Sequence, residues 1–329
     1  MANEETSVIE VRGLAKRFDE VQAVAGVDFD VQQGELFGFL GPNGAGKTTT
    51  INMLIGLARP DAGTIRIAGI DCSKNPKAAQ HLMGIVPDES NLYPELTGFD
   101  NLCFCGALYG MTKGDRTARA AELLDRFGLV QAAGRKFGGY SRGMKRKLTI
   151  AAGIIHQPAI LFLDEPTTGI DVASARQIRQ LIADLNAAGT TVFLTTHYIE
   201  EAERLCRRIA FIVKGRIVRT DRVEDLMRQT DGRHVMRFAV SGKASELCNR
   251  IAAEFPRLQC RPVAEGGIRV ESAEPVRVGP IVRLLEDQRA EVLEARVIRP
   301  SLEDVFVQIT GMEAGAMKQE KEKKMGGGA

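Results

Sequence analysis

The chain has 329 residues, of which 44% are hydrophobic and 26% are charged, a balance typical of a folded globular protein. This length is sufficient for one large domain and a smaller one. The net charge of +2 comes from 44 basic and 42 acidic residues, which excludes a strong overall attraction to nucleic acid or anionic lipid.

The apolar stretches of the sequence have the length of strands. The longest, such as Leu36–Leu40, Ala159–Leu163 and Ile209–Val213, are far shorter than the ~18 residues that a membrane-spanning helix needs. The amino terminus, M-A-N-E-E-T-S, lacks the basic and apolar regions of a secretory signal. We therefore expect a chain that is soluble by itself and has any membrane role through a partner. The six cysteines show no metal-ligand spacing and are expected to be reduced thiols.

In the first part of the chain, short apolar strands alternate with helical patterns. The predicted elements are strands at Ser7–Arg12, Val24–Val31, Leu36–Leu40, Ala159–Leu163 and Thr191–Thr195, helices from Lys47 and over Ile199–Leu205, and a closing hairpin of Ile209–Val213 with Arg216–Arg219. This alternation predicts a parallel sheet covered by helices. Between Pro94 and Arg135 the apolar spacing becomes helical. We therefore expect an α/β domain over residues 1–231, with a helical subdomain at about residues 90–155.

The second part of the chain follows the order βαββαβ. The predicted strands are His234–Val240, Leu258–Val263, Ile268–Glu271 and Glu291–Ile298, and the predicted helices are Ala244–Phe255 and Val278–Arg289. This order predicts a small α+β, ferredoxin-like domain over residues 232–311. Residues 312–329 form a polar tail, with K-Q-E-K-E-K-K before terminal glycines, and we expect this solvated end to be disordered.

The segment Gly41–Thr48 reads G-P-N-G-A-G-K-T and lies between a predicted strand and a predicted helix. It fits the phosphate-loop pattern G-x-x-x-x-G-K-[ST], in which glycines let backbone N–H groups converge on phosphates at the positive end of a helix. Lys47 would lie between the β- and γ-phosphates, and the Thr48 hydroxyl would ligate Mg²⁺. The predicted nucleotide-binding residues here are Gly41, Pro42, Asn43, Gly44, Ala45, Gly46, Lys47, Thr48 and Thr49.

A second motif begins with the apolar run Ile160–Leu163 and continues with Asp164 and Glu165. A buried strand would deliver both carboxylates to the carboxyl edge of the sheet, where open α/β sheets bind ligands. We expect Asp164 to hold Mg²⁺ through water. Glu165 is placed to orient or deprotonate the attacking water. These two motifs alone predict a phosphate-loop NTPase.

Three further motifs narrow the family. They are Y-S-R-G-M-K at Tyr140–Lys145, T-G-I-D at Thr168–Asp171 and T-T-H at Thr195–His197. With all five motifs in order, the chain closely resembles the nucleotide-binding domains of ABC transporters from about Val8 to Met227. Arg299–Phe306 reads R-P-S-L-E-D-V-F, which is similar to the ending of type-2 ABC exporter ATPases, including those of the daunorubicin-resistance type. The resemblance implies an ABC-type P-loop NTPase core with a helical subdomain, followed by the small ferredoxin-like domain.

The resemblance also implies a head-to-tail homodimer with ATP and Mg²⁺ between the two copies. Ser141 and Gly143 of one copy would contact the γ-phosphate bound by the other. Asp171 would couple the two sites, His197 would contact the γ-phosphate, and Phe18 would stack on adenine. From the residues alone, Ser141 and Gly143 are also compatible with a helix cap, His197 with an ordinary strand-end histidine, and Phe18 with the core.

Two positions depart from the family pattern. Arg142-Gly143-Met144 stands where Gly-Gly-Gln is usual, a variation that resembles type-2 exporter ATPases. Asp88 stands where a glutamine that contacts Mg²⁺ and water is usual. Because aspartate is a good ligand for a hard cation, we expect Asp88 to contact Mg²⁺; the alternative is a turn or cap residue.

We therefore expect an export ATPase, bound peripherally to the cytoplasmic face of the membrane through separate transmembrane permease subunits. The loop Asn91–Leu96 and the helix Gly98–Tyr109, with Tyr93, Phe99, Phe104 and Tyr109, are the expected docking surface, although each aromatic side chain is equally compatible with a plain helical core.

Two alternatives have other functions. The first is a soluble ABC-class ATPase of the translation or DNA-repair type, which a single phosphate loop and the absence of sustained heptads disfavour. No basic stripe with aromatic residues predicts a nucleic-acid partner. The second, a catalytically inactive regulator, conflicts with the intact Lys47, Asp164, Glu165 and His197.

Overall fold

The computed structural model describes residues 6–72, 74–230, 234–263, 267–298 and 301–311. The predicted tail at residues 312–329 and the residues Arg299 and Pro300 lie outside the described residues. The chain divides into two compact units, one comprising the residues up to Arg222 together with those from Ile309 onward, and the other comprising Val223–Gln308. This division precedes the domain boundary expected at residue 231 by one helix, Val223–Thr230.

The first unit contains three kinds of element. Its strands are β1 (Ser7–Phe18), β2 (Val21–Gln32), β3 (Leu36–Leu40), β4 (Ala62–Ile67), β5 (Ile70–Asp71), β6 (Met83–Val86), β7 (Ile160–Asp164), β8 (Thr191–Thr196), β9 (Arg208–Val213) and β10 (Arg216–Arg222). Its α-helices are α1 (Lys47–Leu54), α2 (Gly98–Leu108), α3 (Lys113–Arg126), α4 (Arg142–Gly153), α5 (Val172–Ala187) and α6 (Ile199–Leu205). Short 3₁₀ segments lie at Pro76–Leu82, Val130–Ala132 and Phe137–Gly139.

The central sheet has the strand order β10-β9-β3-β8-β7-β6, and only β10 runs antiparallel to its neighbour. All residues of β3, β7 and β8 are buried, as expected for parallel strands covered on both faces. The register pairs Leu40 with Thr196 and Asp164 with Thr195. The segments that follow these three strands therefore meet at one edge of the sheet.

A second, antiparallel sheet of order β2-β1-β4-β5 packs on the central sheet through aromatic rings. The ring of Phe29 on β2 lies 6.0 Å from that of Phe37, 5.5 Å from that of Phe39 and 5.8 Å from that of Phe193. Phe193 also lies 5.7 Å from Phe162. Five rings contributed by four strands thus form the centre of the core.

The second unit contains α7 (Val223–Thr230), β11 (His234–Val240), α8 (Ala244–Glu254), β12 (Gln259–Val263), β13 (Gly267–Ser272), α9 (Val278–Asp287), β14 (Val292–Ile298) and most of α10 (Leu302–Thr310). Its sheet has the order β12-β13-β11-β14 with every pair antiparallel, which is the predicted ferredoxin-like arrangement. Buried side chains of α8 and α9, among them Ile251 and Leu285, belong to the same hydrophobic core as those of β11.

The expectation of six reduced cysteines is wrong for two of them. Cys248 on α8 and Cys260 on β12 form a disulfide, with Cα atoms 5.3 Å apart. The sequence gives no spacing signal for this pair, because the packing of a helix against the next strand brings the two together. Cys72, Cys103, Cys105 and Cys206 are free.

The opposite face of this sheet carries a row of arginines. Arg261, Arg269, Arg237 and Arg296 lie directly opposite one another on β12, β13, β11 and β14. Like charges in this register repel. Glu271 compensates part of the repulsion through ion pairs of 3.0 Å with Arg261 and 2.8 Å with Arg269.

Phe193→Ala should lower the free energy of unfolding of the first unit by about 3–5 kcal/mol, because it leaves a cavity among four other rings. Urea unfolding followed by circular dichroism measures this change. In the control Leu57→Ala, truncation of a side chain that is 73% exposed should cost less than about 0.5 kcal/mol. Equal losses in the two variants would contradict the assignment of Phe193 to the core.

Candidate nucleotide-binding site

The phosphate loop Gly41–Thr48 joins β3 to α1, as predicted. Gly44 and Gly46 have φ angles of 76° and 104°, in the left-handed region that favours glycine. A Cβ at Gly46 would overlap the carbonyl oxygen of Ala23 on β2. The loop therefore needs glycine both for its own turn and for its close approach to β2.

Lys47 occupies the centre of this loop and is buried. Its Nζ donates to the carbonyl oxygens of Gly41 at 2.8 Å and Pro42 at 3.1 Å. The same ammonium lies 3.1 Å from Oε1 of Glu165. The loop backbone thus fixes the position of a buried cation beside the carboxylate that follows β7.

Glu165 follows the last residue of β7 and forms hydrogen bonds with residues at the end of β8. Its Oε2 lies 2.6 Å from Nδ1 of His197 and accepts from the Thr168 hydroxyl at 3.0 Å. Burial alone would raise the pKa of Glu165, but the hydrogen bond with His197 and the charge of Lys47 outweigh burial and lower the pKa to about 2. Glu165 is therefore ionised throughout the neutral pH range. Its φ of 52°, uncommon outside glycine, turns the side chain into this position.

Asp164 is buried beside Glu165. Its carboxylate accepts hydrogen bonds from the hydroxyls of Thr195 and Thr48. Burial raises the pKa of Asp164, and the nearby carboxylates of Glu165 and Asp88 raise it further. An adjacent cation would offset this clustering of negative charge. Within the part of the chain that the structure describes, no group of three or more His, Cys, Asp or Glu residues could hold a metal ion.

Asp88 lies just beyond the end of β6 and is fixed from the helical side by Arg146 of α4. Arg146 is buried, and its guanidinium donates to the carbonyl oxygens of Pro87 at 2.6 Å and Asp88 at 2.5 Å. The same group lies 3.6 Å from Oδ1 of Asp88. Burial lowers the pKa of Arg146, while the charge of Asp88 raises it.

A cavity of about 680 Å³ opens over the phosphate loop, within the range of nucleotide-sized pockets. It is lined by Val21, Gln22, Ala23, Asn43, Gly44, Gly46, Lys47, Thr48, Thr49, Asp88, Glu165 and Lys214. The structure thus brings six of the nine predicted phosphate-loop residues together with Asp88 and Glu165. Gly41, Pro42 and Ala45 of the loop, and the predicted Asp164 and His197, do not line this cavity.

Phe18 ends β1 and is 49% exposed, so the alternative that it belongs to the core is wrong. Its partner across the β1–β2 turn is Val21, which lines the cavity. The ammonium of Lys16 lies 5.2 Å from the centre of the Phe18 ring. Phe18 thus follows the strand register next to a residue of the cavity wall, and about half of its side chain is exposed.

Ser141, Gly143 and Asp171 form a second cluster and do not line the cavity. The Ser141 hydroxyl caps α4 by accepting from Met144 N at 3.3 Å, and Asp171 caps α5 by accepting from Ser174 N at 2.9 Å. A Cβ at Gly143 would overlap the Ser174 hydroxyl, so the two helix starts are in close contact. Because the Ser141 hydroxyl acts as an acceptor in its cap interaction, its proton stays available to another acceptor.

Comparison with known proteins agrees with this geometry. The ABC transporter family model matches residues 24–168. A linearmycin resistance ATP-binding protein of Bacillus subtilis (strain 168) is 36% identical over 307 residues, which cover 92% of this chain and 98% of that protein. A daunorubicin/doxorubicin resistance ATP-binding protein of Streptomyces peucetius is 38% identical over 325 residues, covering 95% and 96%.

Solved structures show the same likeness. An ATP-binding subunit of an ABC transporter superposes with a TM-score of 0.62 at 29% identity, over 68% of this chain and 94% of that one. A dimeric ATP-binding cassette in a post-hydrolysis state, bound to ADP and Pi, has a TM-score of 0.61 at 27% identity, over 65% and 98%.

This chain belongs to the ABC transporter family. It is an ATP-binding, ATP-hydrolysing subunit of an ABC exporter, and the relatives give no support to the alternative of an ABC-class ATPase without a transporter. No helix in residues 6–72, 74–230, 234–263, 267–298 or 301–311 is long and apolar enough to cross a bilayer.

Two residues of this ABC site were not predicted from the sequence. Arg146 belongs to no predicted motif, and only the folded position of α4 beside Pro87 and Asp88 reveals its contacts. Lys214 lines the cavity, and its only sequence signal is its place before Gly215 in the predicted hairpin.

Arg146→Met should lower the free energy of unfolding of the first unit by about 2–4 kcal/mol, because it removes the partner of two carbonyl groups inside the protein. Urea unfolding measures this loss. Lys147→Met is the matched control: it removes a half-buried cation from the same helix that makes no hydrogen bond or ion pair with any described residue. If both variants retain the stability of the parent, the anchoring contacts of Arg146 contribute nothing.

Proposed function

We propose that two copies of this ABC subunit close head-to-tail around two ATP–Mg²⁺ complexes, and that closure drives export through separate membrane subunits. The observation that carries the proposal is the division of the motif residues into two clusters. Lys47 and Glu165 line the cavity, whereas Ser141 and Gly143 lie in the cluster at the starts of α4 and α5. Each cavity would therefore obtain Ser141 and Gly143 from the second copy.

In the proposed site, Lys47 and the loop amides bind the β- and γ-phosphates. A γ-phosphate would compete with Glu165 for Lys47 and for His197, because both side chains now contact that carboxylate. Loss of these contacts raises the pKa of Glu165 from about 2 and makes it a stronger base. Glu165 then accepts a proton from the water that attacks the γ-phosphorus, and ADP leaves.

The oxygen atoms of Thr48, Asp164 and Asp88 fit the preference of Mg²⁺ for hard ligands, and Mg²⁺ characteristically takes few protein carboxylates together with substrate phosphates. The buried Asp164 carboxylate lies close to the carboxylates of Glu165 and Asp88, and a cation at this position would offset their mutual repulsion. Bound Mg²⁺ would supply charge neutralisation at the β- and γ-phosphates.

At the proposed dimer interface, the Ser141 hydroxyl keeps its cap interaction and donates its proton to the γ-phosphate on the partner. Gly143 donates its backbone N–H, and Asp171, which starts α5 beside it, couples the two sites. On each copy, the Phe18 ring stacks on the adenine.

The proposed docking surface for the permease is the exposed side of α2 with the loop before it. The exposed fractions are 50% for Tyr93, 39% for Phe104, 71% for Leu108 and 41% for Tyr109. Tyr93 and Phe104 pack edge to face, with ring centres 5.2 Å apart. Large apolar side chains exposed together are typical of a protein–protein contact, which would hold the chain at the cytoplasmic face of the membrane. Phe99, also expected here, is only half-exposed.

Glu165→Gln should reduce ATP turnover by at least about 100-fold, because it removes the proposed base. Phosphate release measures turnover, and light scattering with ATP and Mg²⁺ should show the variant as a dimer. The matched control is Glu200→Gln, which removes an exposed carboxylate of α6. Turnover by Glu165→Gln at the rate of the parent would exclude the proposed role of Glu165, and a monomer under these conditions would exclude the ATP-closed dimer.

Leu108→Glu should release the chain from membranes of cells that contain its permease, because it places a charge in the apolar docking surface. Immunoblots of salt-washed membranes measure the bound fraction, and ATP turnover of the purified variant checks that the fold is intact. In the control Leu293→Glu, on β14, a leucine that is 69% exposed is replaced elsewhere. Equal membrane retention of the parent and Leu108→Glu would exclude this surface.

A further inference from the structure

The turn between β9 and β10 is fixed against the phosphate loop. Gly215 N donates to the carbonyl oxygen of Ala45 at 2.9 Å, and the Gly215 carbonyl accepts from Ala25 N at 2.8 Å. A Cβ at Gly215 would lie 2.8 Å from the Ala23 carbonyl oxygen, and the φ of Gly215 is 75°. Because only glycine permits this approach, the turn is held in a fixed position beside the phosphate loop and β2.

Lys214 precedes Gly215 and lines the cavity. The Lys214 φ of 49° is uncommon outside glycine. The hydrogen bonds of Gly215 hold the turn in which Lys214 adopts this angle. The Lys214 side chain is exposed, and across the described residues its ammonium has no hydrogen-bond or ion-pair partner. The other ammonium of the cavity, that of Lys47, is fully engaged by the loop carbonyls and Glu165.

The charges of the cavity are unevenly distributed. Both carboxylates that line it, Asp88 and Glu165, belong to the edge of the sheet that also carries Asp164, where the γ-phosphate is proposed. The backbone bonds of Gly215 place Lys214 beside Ala45 and the start of β2. The ammonium thus adds positive charge on the β2 side of the phosphate loop, near the residues Val21–Ala23 that line the opposite wall.

We propose that Lys214 is a further nucleotide-binding residue, whose ammonium binds the phosphate next to the ribose of both ADP and ATP. A charge-assisted bond from lysine to phosphate would satisfy a donor that has no partner within the chain. Because this phosphate is common to the di- and triphosphate, Lys214 strengthens the binding of both to the same degree. The inference rests on the proposed binding of ATP in this cavity.

The test compares the dissociation constants of the full-length parent and Lys214→Met by titration calorimetry, with ADP, with ATP in a Glu165→Gln background, and with adenosine. Loss of one partly exposed charge-assisted bond should weaken ADP and ATP binding by an equal factor of about 5–10 and leave adenosine binding within about twofold. Lys214→Arg, which keeps the cation, should stay within about twofold of the parent. Arg216→Met is the matched control, since it removes an exposed cation two residues further along the same hairpin.

Several outcomes would overturn the assignment of Lys214. One is unchanged binding of ADP by Lys214→Met; another is the same loss in Arg216→Met, which would indicate a general effect of surface charge. A loss confined to ATP would place Lys214 at the γ-phosphate, and a matching loss for adenosine would indicate a packing role. A parent that binds neither ADP nor ATP would instead refute the proposed function itself.

Discussion

The ion pair of Lys47 with Glu165, extended by the hydrogen bond that Glu165 accepts from His197, is the interaction on which the site depends. Its three members follow β3, β7 and β8, so the cluster forms only when these strands are parallel and end at the same edge. The sheet register provides this alignment, and the left-handed backbone of Glu165 completes it. The result is a buried carboxylate whose basicity depends on whether Lys47 and His197 contact it or a phosphate.

The helix α4 links this site to the surface proposed for the second copy. Ser141 caps the start of the helix, and Arg146, one turn later, is bonded to the carbonyl groups of Pro87 and Asp88. A short helix moves as a rigid element. The contacts of Arg146 therefore connect the Asp88 backbone to the helix that begins at the Ser141 cap. Asp88 thus has Arg146 of α4 as a charged partner, with 3.6 Å between the guanidinium group and Oδ1.

The elements that were predicted from the sequence are those with a recognisable local pattern of apolar residues. The strands β3 and β7 contain continuous apolar runs and β8 contains the buried run Val192–Leu194, each followed by motif residues. The helix α6 and the strand β11 have the predicted bounds. The strand β4 was missed because Ala62–Thr64 are exposed and polar or small, and its strand character comes from pairing with β1. Three other features were not predicted for the same reason, namely Arg146, Lys214 and the Cys248–Cys260 disulfide. The role of each depends on a partner that lies far away in the sequence or on a neighbouring element.

The arginine row of the second unit makes the pairing of its strands depend on nearby carboxylates. The register places four like charges in one line across β12, β13, β11 and β14. Glu271 pairs with two of these arginines, and Glu294 lies 3.9 Å from Arg296. Without Glu271, Arg261 and Arg269 would face one another with less compensation, and the edge strand β12 would be held less firmly to its neighbour.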